Sequence, residues 1–192
     1  MSCNINNNNN NSNNNNFIYC PQCGSKGAIV FIDKYWKCNN CPFILYHNPA
    51  STAAVIISDE ENNILFIIRA REPKKGLLDC PGGFTDSDET DEQNAIRECK
   101  EEIGIEPLNL KYLCSCPNDY FYKGFNYKTC DVYFTGKLPE GVQFKDIIKI
   151  DESEVKGICY KKIEKQEDID KLPIAFSSLQ MALSAWVKKY GK

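Results

Sequence analysis

What this sequence lacks narrows its chemistry first. It holds a single histidine, His47, among 192 residues. No Ser–His or Cys–His pair can therefore be centred anywhere but at that one position. It has no apolar run of about 18 residues, the length a helix needs to cross a bilayer. Its N-terminus has neither the basic-then-apolar pattern of a signal peptide nor the arginines of a transit peptide. The net charge is only −3, so there is no global basic surplus of the kind that marks nucleic-acid-binding domains. No internal repeat is visible. These absences lead to the expectation of a cytoplasmic protein without a membrane span, whose chemistry rests on carboxylates and metal.

Cysteine, by contrast, is plentiful. There are eleven, an odd number. In a chain with no export signal that argues for a reducing compartment and against a disulfide scaffold. Four of them form two C-x-x-C pairs, Cys20/Cys23 and Cys38/Cys41, with fourteen residues between the pairs. Two thiolate knuckles joined by a short hairpin over AIVFIDKYWK would supply a closed tetrahedral site for Zn²⁺. Four soft ligands with no open position make the metal structural. With that site filled, His47 reads as a linker or surface residue.

The length suits one medium domain plus a small appendage. Residues 4–16 are nearly all asparagine, which cannot bury apolar area, so residues 1–16 are expected to be a disordered tail. Residues 17–47 follow as the zinc ribbon and 48–192 as the main domain. TAAVIIS at 52–58 and ILFIIRA at 64–70 are apolar, β-branched runs, read as a hairpin turning at DEENN. Strands are also expected at 77–80, 110–116, 128–138 and 155–163. Leu179, Leu183, Trp186 and Val187 recur at helical spacing in a helix over 177–190.

Residues 83–105, GFTDSDETDEQNAIRECKEEIGI, carry the chemistry. Gly82-Gly83 behind Pro81 reads as a tight turn. Thr90 with Gln93 fits a capping box, and Gly104 a C-cap, which brackets a helix. At about 100° per residue, Glu98, Glu101 and Glu102 share one strip beside the apolar arc of Ala95, Ile96, Cys99 and Ile103. Such like charges repel. A solvated acidic face would not explain their clustering after a Pro-Gly-Gly turn. A hard cation such as Mg²⁺, with its oxygen ligands and retained waters, would.

Gly83, Glu89, Arg97-Glu98-Cys99, Glu101-Glu102 and Gly104-Ile105 match every fixed position of the Nudix box, and the chain resembles Nudix hydrolases over roughly residues 50–190. The resemblance implies an α/β/α sandwich with a mixed sheet, here preceded by the Cys₄ ribbon. It implies Mg²⁺ or Mn²⁺ held by Glu98 and Glu102, with Glu101 as a ligand or base and the Gly83 carbonyl able to contact metal. Glu89 would pair with Arg97 and hold loop and helix in register. Outside the box, Asp151, Glu152 and Glu154 look similar to the positions from which such enzymes recruit a general base, Glu154 being favoured.

Arg69, Arg71, Lys74 and Lys75 could hold phosphate oxygens or merely balance the acidic box. Tyr120, Phe121, Tyr122, Phe125 and Tyr127 could stack on a base or pack in strands. The order ribbon-then-catalytic-domain resembles NADH pyrophosphatases. Of that family's S-Q-P-W-P-F-P-x-S stretch, Ser115, Pro117 and Phe121 correspond, while the glutamine, tryptophan and later proline are absent. The expected activity is hydrolysis of the diphosphate in a small nucleoside diphosphate derivative such as NAD(H) or ADP-ribose. Nucleic acid would enter only as a capped RNA end, and a homodimer is left open. A triphosphate pyrophosphohydrolase and a non-catalytic nucleotide- or RNA-binding ribbon protein are the alternatives.

Overall fold

A computed structural model describes residues 17–147 and 151–191; the expectation of a disordered tail over 1–16 falls outside them. The chain divides into two compact units between Asn48 and Pro49.

The first unit is a three-stranded antiparallel sheet of β1 (Ile29–Ile32), β2 (Tyr35–Cys38) and β3 (Ile44–Tyr46). Asp33 makes the tight turn between β1 and β2 in a left-handed conformation, φ 54°, which short polar side chains tolerate. The expected hairpin is present, and β3 adds a strand that sequence did not suggest. Cys20, Ala28, Ile29, Trp36 and Cys38 form its small core. The ligand atoms of Cys20, Cys23, Cys38 and Cys41 all lie within 4.8 Å of one another, a group positioned to bind a metal. His47 stays outside it, its ring packed 4.9 Å from that of Trp36.

The second unit holds β4 (Ala50–Ile57), β5 (Asn63–Arg69), β6 (Leu78–Asp79), β7 (Gly82–Phe84), α1 (Asp91–Ile103), β8 (Leu108–Tyr122), β9 (Phe125–Lys137), β10 (Val155–Lys162), α2 (Gln166–Ile169) and α3 (Ser177–Tyr190). One sheet runs β7-β4-β9-β8 and the other β10-β5-β6. The β4–β9 pairing is parallel and the remaining pairings are antiparallel, so the arrangement is mixed. Alternate residues of β4 and β5 feed two cores. Val55, Ile57, Leu65 and Ile67 pack with Ala95, Cys99 and Ile103 of α1. Ile56, Ile64 and Phe66 pack with Leu179, Leu183 and Trp186 of α3. Sheets between two helical layers give the expected sandwich.

Two strand readings are corrected. β4 and β5 are not paired as a hairpin: they lie in different sheets, and the ladder between them is reduced to one isolated bridge, Ser58 to Ile64. Runs buried on both faces carry no alternation from which pairing could be read. β8 and β9 run well past the expected 110–116 and 128–138, meeting at Lys123-Gly124. Pro117 sits inside β8, opposite Cys130. It is tolerated because β8 is the edge of its sheet.

Candidate active site

Helix α1 begins as its sequence dictates. Thr90 accepts from Gln93 N, and the Gln93 side chain accepts from Thr90 N. It ends on left-handed Gly104, whose N–H caps the last turn. Strand β7 passes close to it because its first two residues are glycines. A β-carbon on Gly82 would stand 2.3 Å from the Ala53 carbonyl, and one on Gly83 2.3 Å from Glu98 Oε1. Glycines here let β7 lie against both β4 and the carboxylates of α1.

Arg97 organises the approach. Its Nε and Nη2 grip both oxygens of Glu89, at 3.1 and 2.7 Å, a bidentate pairing. Nη2 also donates to the Phe84 carbonyl and to Asn94 Oδ1, tying loop to helix. Nη1 reaches Glu98 at 2.8 Å and Glu101 at 3.1 Å. These bonds hold the Glu89 carboxyl below its usual range, through Arg97 first.

The three acids of the strip differ sharply. Glu101 is more than half exposed. Glu98 is mostly buried, and burial pushes its carboxyl up despite Arg97. Glu102 is only 4% exposed. It accepts from Gly82 N at 3.0 Å and has no cationic partner among the described residues. Burial raises its carboxyl well above the ordinary range, and Glu98, Asp79 and Glu154 raise it further. Such a carboxylate is short of positive charge, which a hard cation supplies; Glu98, Glu101 and the Gly83 carbonyl offer further oxygens. Among the described residues these acids do not form a cluster as close as that of the four thiols. The Gly83 carbonyl already accepts from Asn94 Nδ2 at 2.9 Å.

These groups line one side of an open cleft of about 370 Å³, the size of a small-ligand site. Of the three acids considered outside the box, Glu154 lines the cleft, ion-paired to Arg71; Asp151 and Glu152 do not. Asp151 instead accepts from Ser153 N and Oγ. Arg69 and Arg71 line the cleft and Lys74 and Lys75 do not. Arg69 is committed to Asp79 at 2.9 Å and the Pro73 carbonyl at 2.8 Å. Burial lifts the Asp79 carboxyl to about 6 even so. Tyr120 lines the cleft, stacked on Phe176 at 5.7 Å and edge-on to Phe84 at 5.5 Å. Phe121 is 64% exposed and is not among the lining residues.

Sequence reasoning missed further lining residues: Thr52, Asp79, Phe84, Asn118, Thr129, Asp131 and Phe176 also line the cleft. Asp131 is buried and accepts one bond on each oxygen: from Thr52 Oγ1 at 2.8 Å and from Ser178 Oγ at 2.6 Å. These residues follow no motif spacing; strand register alone brings them together, opposing Thr52 to Asp131 and Asn118 to Thr129.

Against known proteins, the family model described as the NUDIX domain matches residues 48–176. The NAD-capped RNA hydrolase NudC of Vibrio atlanticus is 30% identical over 99 residues, covering 52% of this chain and 36% of that protein. An ADP-ribose pyrophosphatase of Methanocaldococcus jannaschii is 44% identical over 63 residues, covering 33% of this chain and 37% of that one. The aligned parts thus span little more than a third of those relatives. A NUDIX hydrolase from Nitrosomonas europaea superposes with TM-score 0.59 at 21% identity, over 91% of this chain and 92% of that one. The NUDIX domain of Shewanella oneidensis NrtR, crystallised with ADP ribose, gives 0.54 at 23% identity, over 73% and 88%.

Proposed function

Since this chain belongs to the NUDIX domain family, we propose that it is a metal-dependent hydrolase that cleaves the diphosphate linkage of a nucleoside diphosphate derivative, such as ADP-ribose, NAD(H) or the cap of an NAD-capped RNA. The observation that carries this reading is the pair of carboxylates, mostly buried Glu98 and buried Glu102, lining a cleft beside the glycines that open β7. The similarity to an NAD-capped RNA hydrolase and to an ADP-ribose pyrophosphatase supports the same substrate class.

Glu98, Glu101, Glu102 and the Gly83 carbonyl would hold Mg²⁺ or Mn²⁺. Such an ion, when bound, neutralises diphosphate charge and acidifies an attacking water. Glu89 and Arg97 fix the helix to the loop, so that the carboxylates meet substrate without rearranging. Arg71 faces the cleft and is paired with Glu154. Diphosphate oxygens compete for that guanidinium, which leaves the Glu154 carboxylate free to take the proton of water. Glu101, exposed and held by Arg97, is the second candidate for that role. Tyr120 offers a face to a ring beyond the diphosphate. The four cysteines of the first unit would hold a structural Zn²⁺.

The test is a screen of ADP-ribose, NADH, NAD⁺, diadenosine polyphosphates and dNTPs with Mg²⁺ or Mn²⁺, products being identified by mass. Cleavage between the two phosphorus atoms of a dinucleotide or ADP-sugar is expected. Absence of hydrolysis on the whole panel would sink the enzyme reading. A dNTP cleaved with higher kcat/KM than all the others would sink the substrate class.

A further inference from the structure

We propose that the part of the cleft carrying Asn118 and Thr129 is an adenine-reading pocket, in which the Asn118 carboxamide and the Thr129 hydroxyl hydrogen-bond the edge of the base. For the identity of the ligand this rests on the hydrolase reading above.

Asn118 and Thr129 are directly opposed across the β8–β9 pair, so their side chains leave the sheet on the same face. Both line the cleft. Asn118 is 9% exposed and Thr129 3%. The Thr129 hydroxyl has no hydrogen-bond partner, and no side-chain bond joins Asn118 to another group among the described residues. A buried polar group without a partner is costly. The Thr129 hydroxyl is such a group; beside it the unbonded Asn118 carboxamide opens on the cleft, and a ligand there would complete both.

Their surroundings say what kind of ligand. Two residues along β8 from Asn118, on the same face, is Tyr120, joined to Phe84 and Phe176 in one wall of rings. A flat ring laid against that wall turns its edge toward the polar pair. One row in the other direction, Asp131 has both oxygens occupied by Thr52 and Ser178. The proton of Ser178 being committed to Asp131, the Tyr133 hydroxyl donates to Ser178 Oγ. That network engages the hydroxyls of Thr52, Ser178 and Tyr133 and leaves the Asn118 and Thr129 side chains without a partner among the described residues.

A carboxamide sets one donor beside one acceptor. That matches the N6 amine and N7 of adenine. Guanine and hypoxanthine present two acceptors there, which call for a guanidinium or ammonium. The guanidinium nearest the rings, Arg69, lies 5.1 Å from the centre of Phe176 and is already bound to Asp79 and Pro73. The nearby carboxylates Asp79 and Asp131 also favour an amine over a carbonyl at the edge of the base.

Binding of AMP and IMP, which differ at that edge and contain no diphosphate to cleave, is measured by calorimetry on the full chain. AMP is expected to bind about tenfold or more tightly than IMP, the discrimination of one bidentate contact. In Asn118→Leu the preference should vanish through weaker AMP binding. Thr129→Val, close in shape and gentler on the fold, should reduce it by about threefold or more. Equal binding of AMP and IMP to the unaltered protein, binding of neither, or an undiminished preference in folded Asn118→Leu and Thr129→Val overturns the inference. Hydrolysis of ADP-ribose is assayed on the same samples. Absent hydrolysis with the AMP preference intact defeats the enzyme reading and leaves the pocket standing.

Discussion

Gly83 and Glu98 compete for one space: a β-carbon on the glycine would stand 2.3 Å from Oε1 of the carboxylate and 2.6 Å from its carbon. Gly83 is paired with Ala53 in the sheet and its backbone is not left-handed. The requirement is therefore room, not conformation. Gly83→Ala should keep the fold and push Glu98 out of place. Turnover on the preferred substrate is expected to fall by about tenfold or more, since misplacing a metal-holding oxygen by an ångström has that scale of effect. Thermal melting and kcat measured together check this; a folded variant with unaltered kcat contradicts it.

Glu98→Gln and Glu102→Gln should each lower turnover at saturating Mg²⁺ by at least about tenfold, because each removes charge from the site that would hold the metal. Retention of near wild-type turnover by either would remove that residue from the proposed ligand set.

Glu102 also yields a pH prediction for the metal-free protein. Burial raises its folded pKa, so the charged form is the penalised one. Below the unfolded value of about 4.3 both states are protonated and the penalty is absent. It grows as pH rises from there through the raised folded value, then stays constant. Glu102→Gln should therefore be more stable than the parent without metal, by a margin that widens as pH rises above about 4.3. Added Mg²⁺ should raise the melting temperature of the parent more than that of the variant. A margin that shrinks with rising pH would contradict this assignment.

Helix α1 was legible because its signals are local: Thr90 and Gln93 cap each other, Gly104 stops the helix, and the acidic strip follows from spacing along one turn. The two C-x-x-C pairs were legible for the same reason. The β4–β5 hairpin was misread because both runs are apolar on both faces, leaving no alternation to say which edge pairs with which. Asn118, Thr129 and Asp131 are invisible as a site in sequence. They sit in strands more than ten residues apart in part, next to Pro117, and only the register of β8 on β9 sets them on one wall. Phe176 arrives from the segment ahead of α3, with nothing local to link it to Tyr120.

For the first unit, the four thiols predict one zinc per chain by elemental analysis. Ser25 holds the Cys23 thiol down to about 6, while burial and the neighbouring thiols push Cys41 up to about 12. Cys23→Ser or chelation should loosen residues 17–47, read as faster amide exchange. Hydrolysis by the second unit should persist, since a closed site performs no chemistry. Zinc-free protein with unchanged exchange over 17–47 would contradict this.

The last prediction separates two neighbours that sequence could not tell apart. Tyr120 and Phe121 are adjacent in β8, so they point to opposite faces. Tyr120 joins Phe176 and Phe84 beside the cleft, while Phe121 is 64% exposed and outside it. An aromatic platform contributes about 1–3 kcal/mol per stacked base, which is roughly 5- to 150-fold in affinity. Tyr120→Ala should therefore raise KM for ADP-ribose or NADH by at least about fivefold. Phe121→Ala should leave KM for both within about twofold, because an exposed side chain that touches no substrate contributes little. The fold is controlled by melting each variant, since Tyr120 also packs on its two neighbours and its loss costs some stability. If Phe121→Ala raises KM for ADP-ribose more than Tyr120→Ala does, the substrate crosses the other face of the hairpin. The ring wall would then be packing alone.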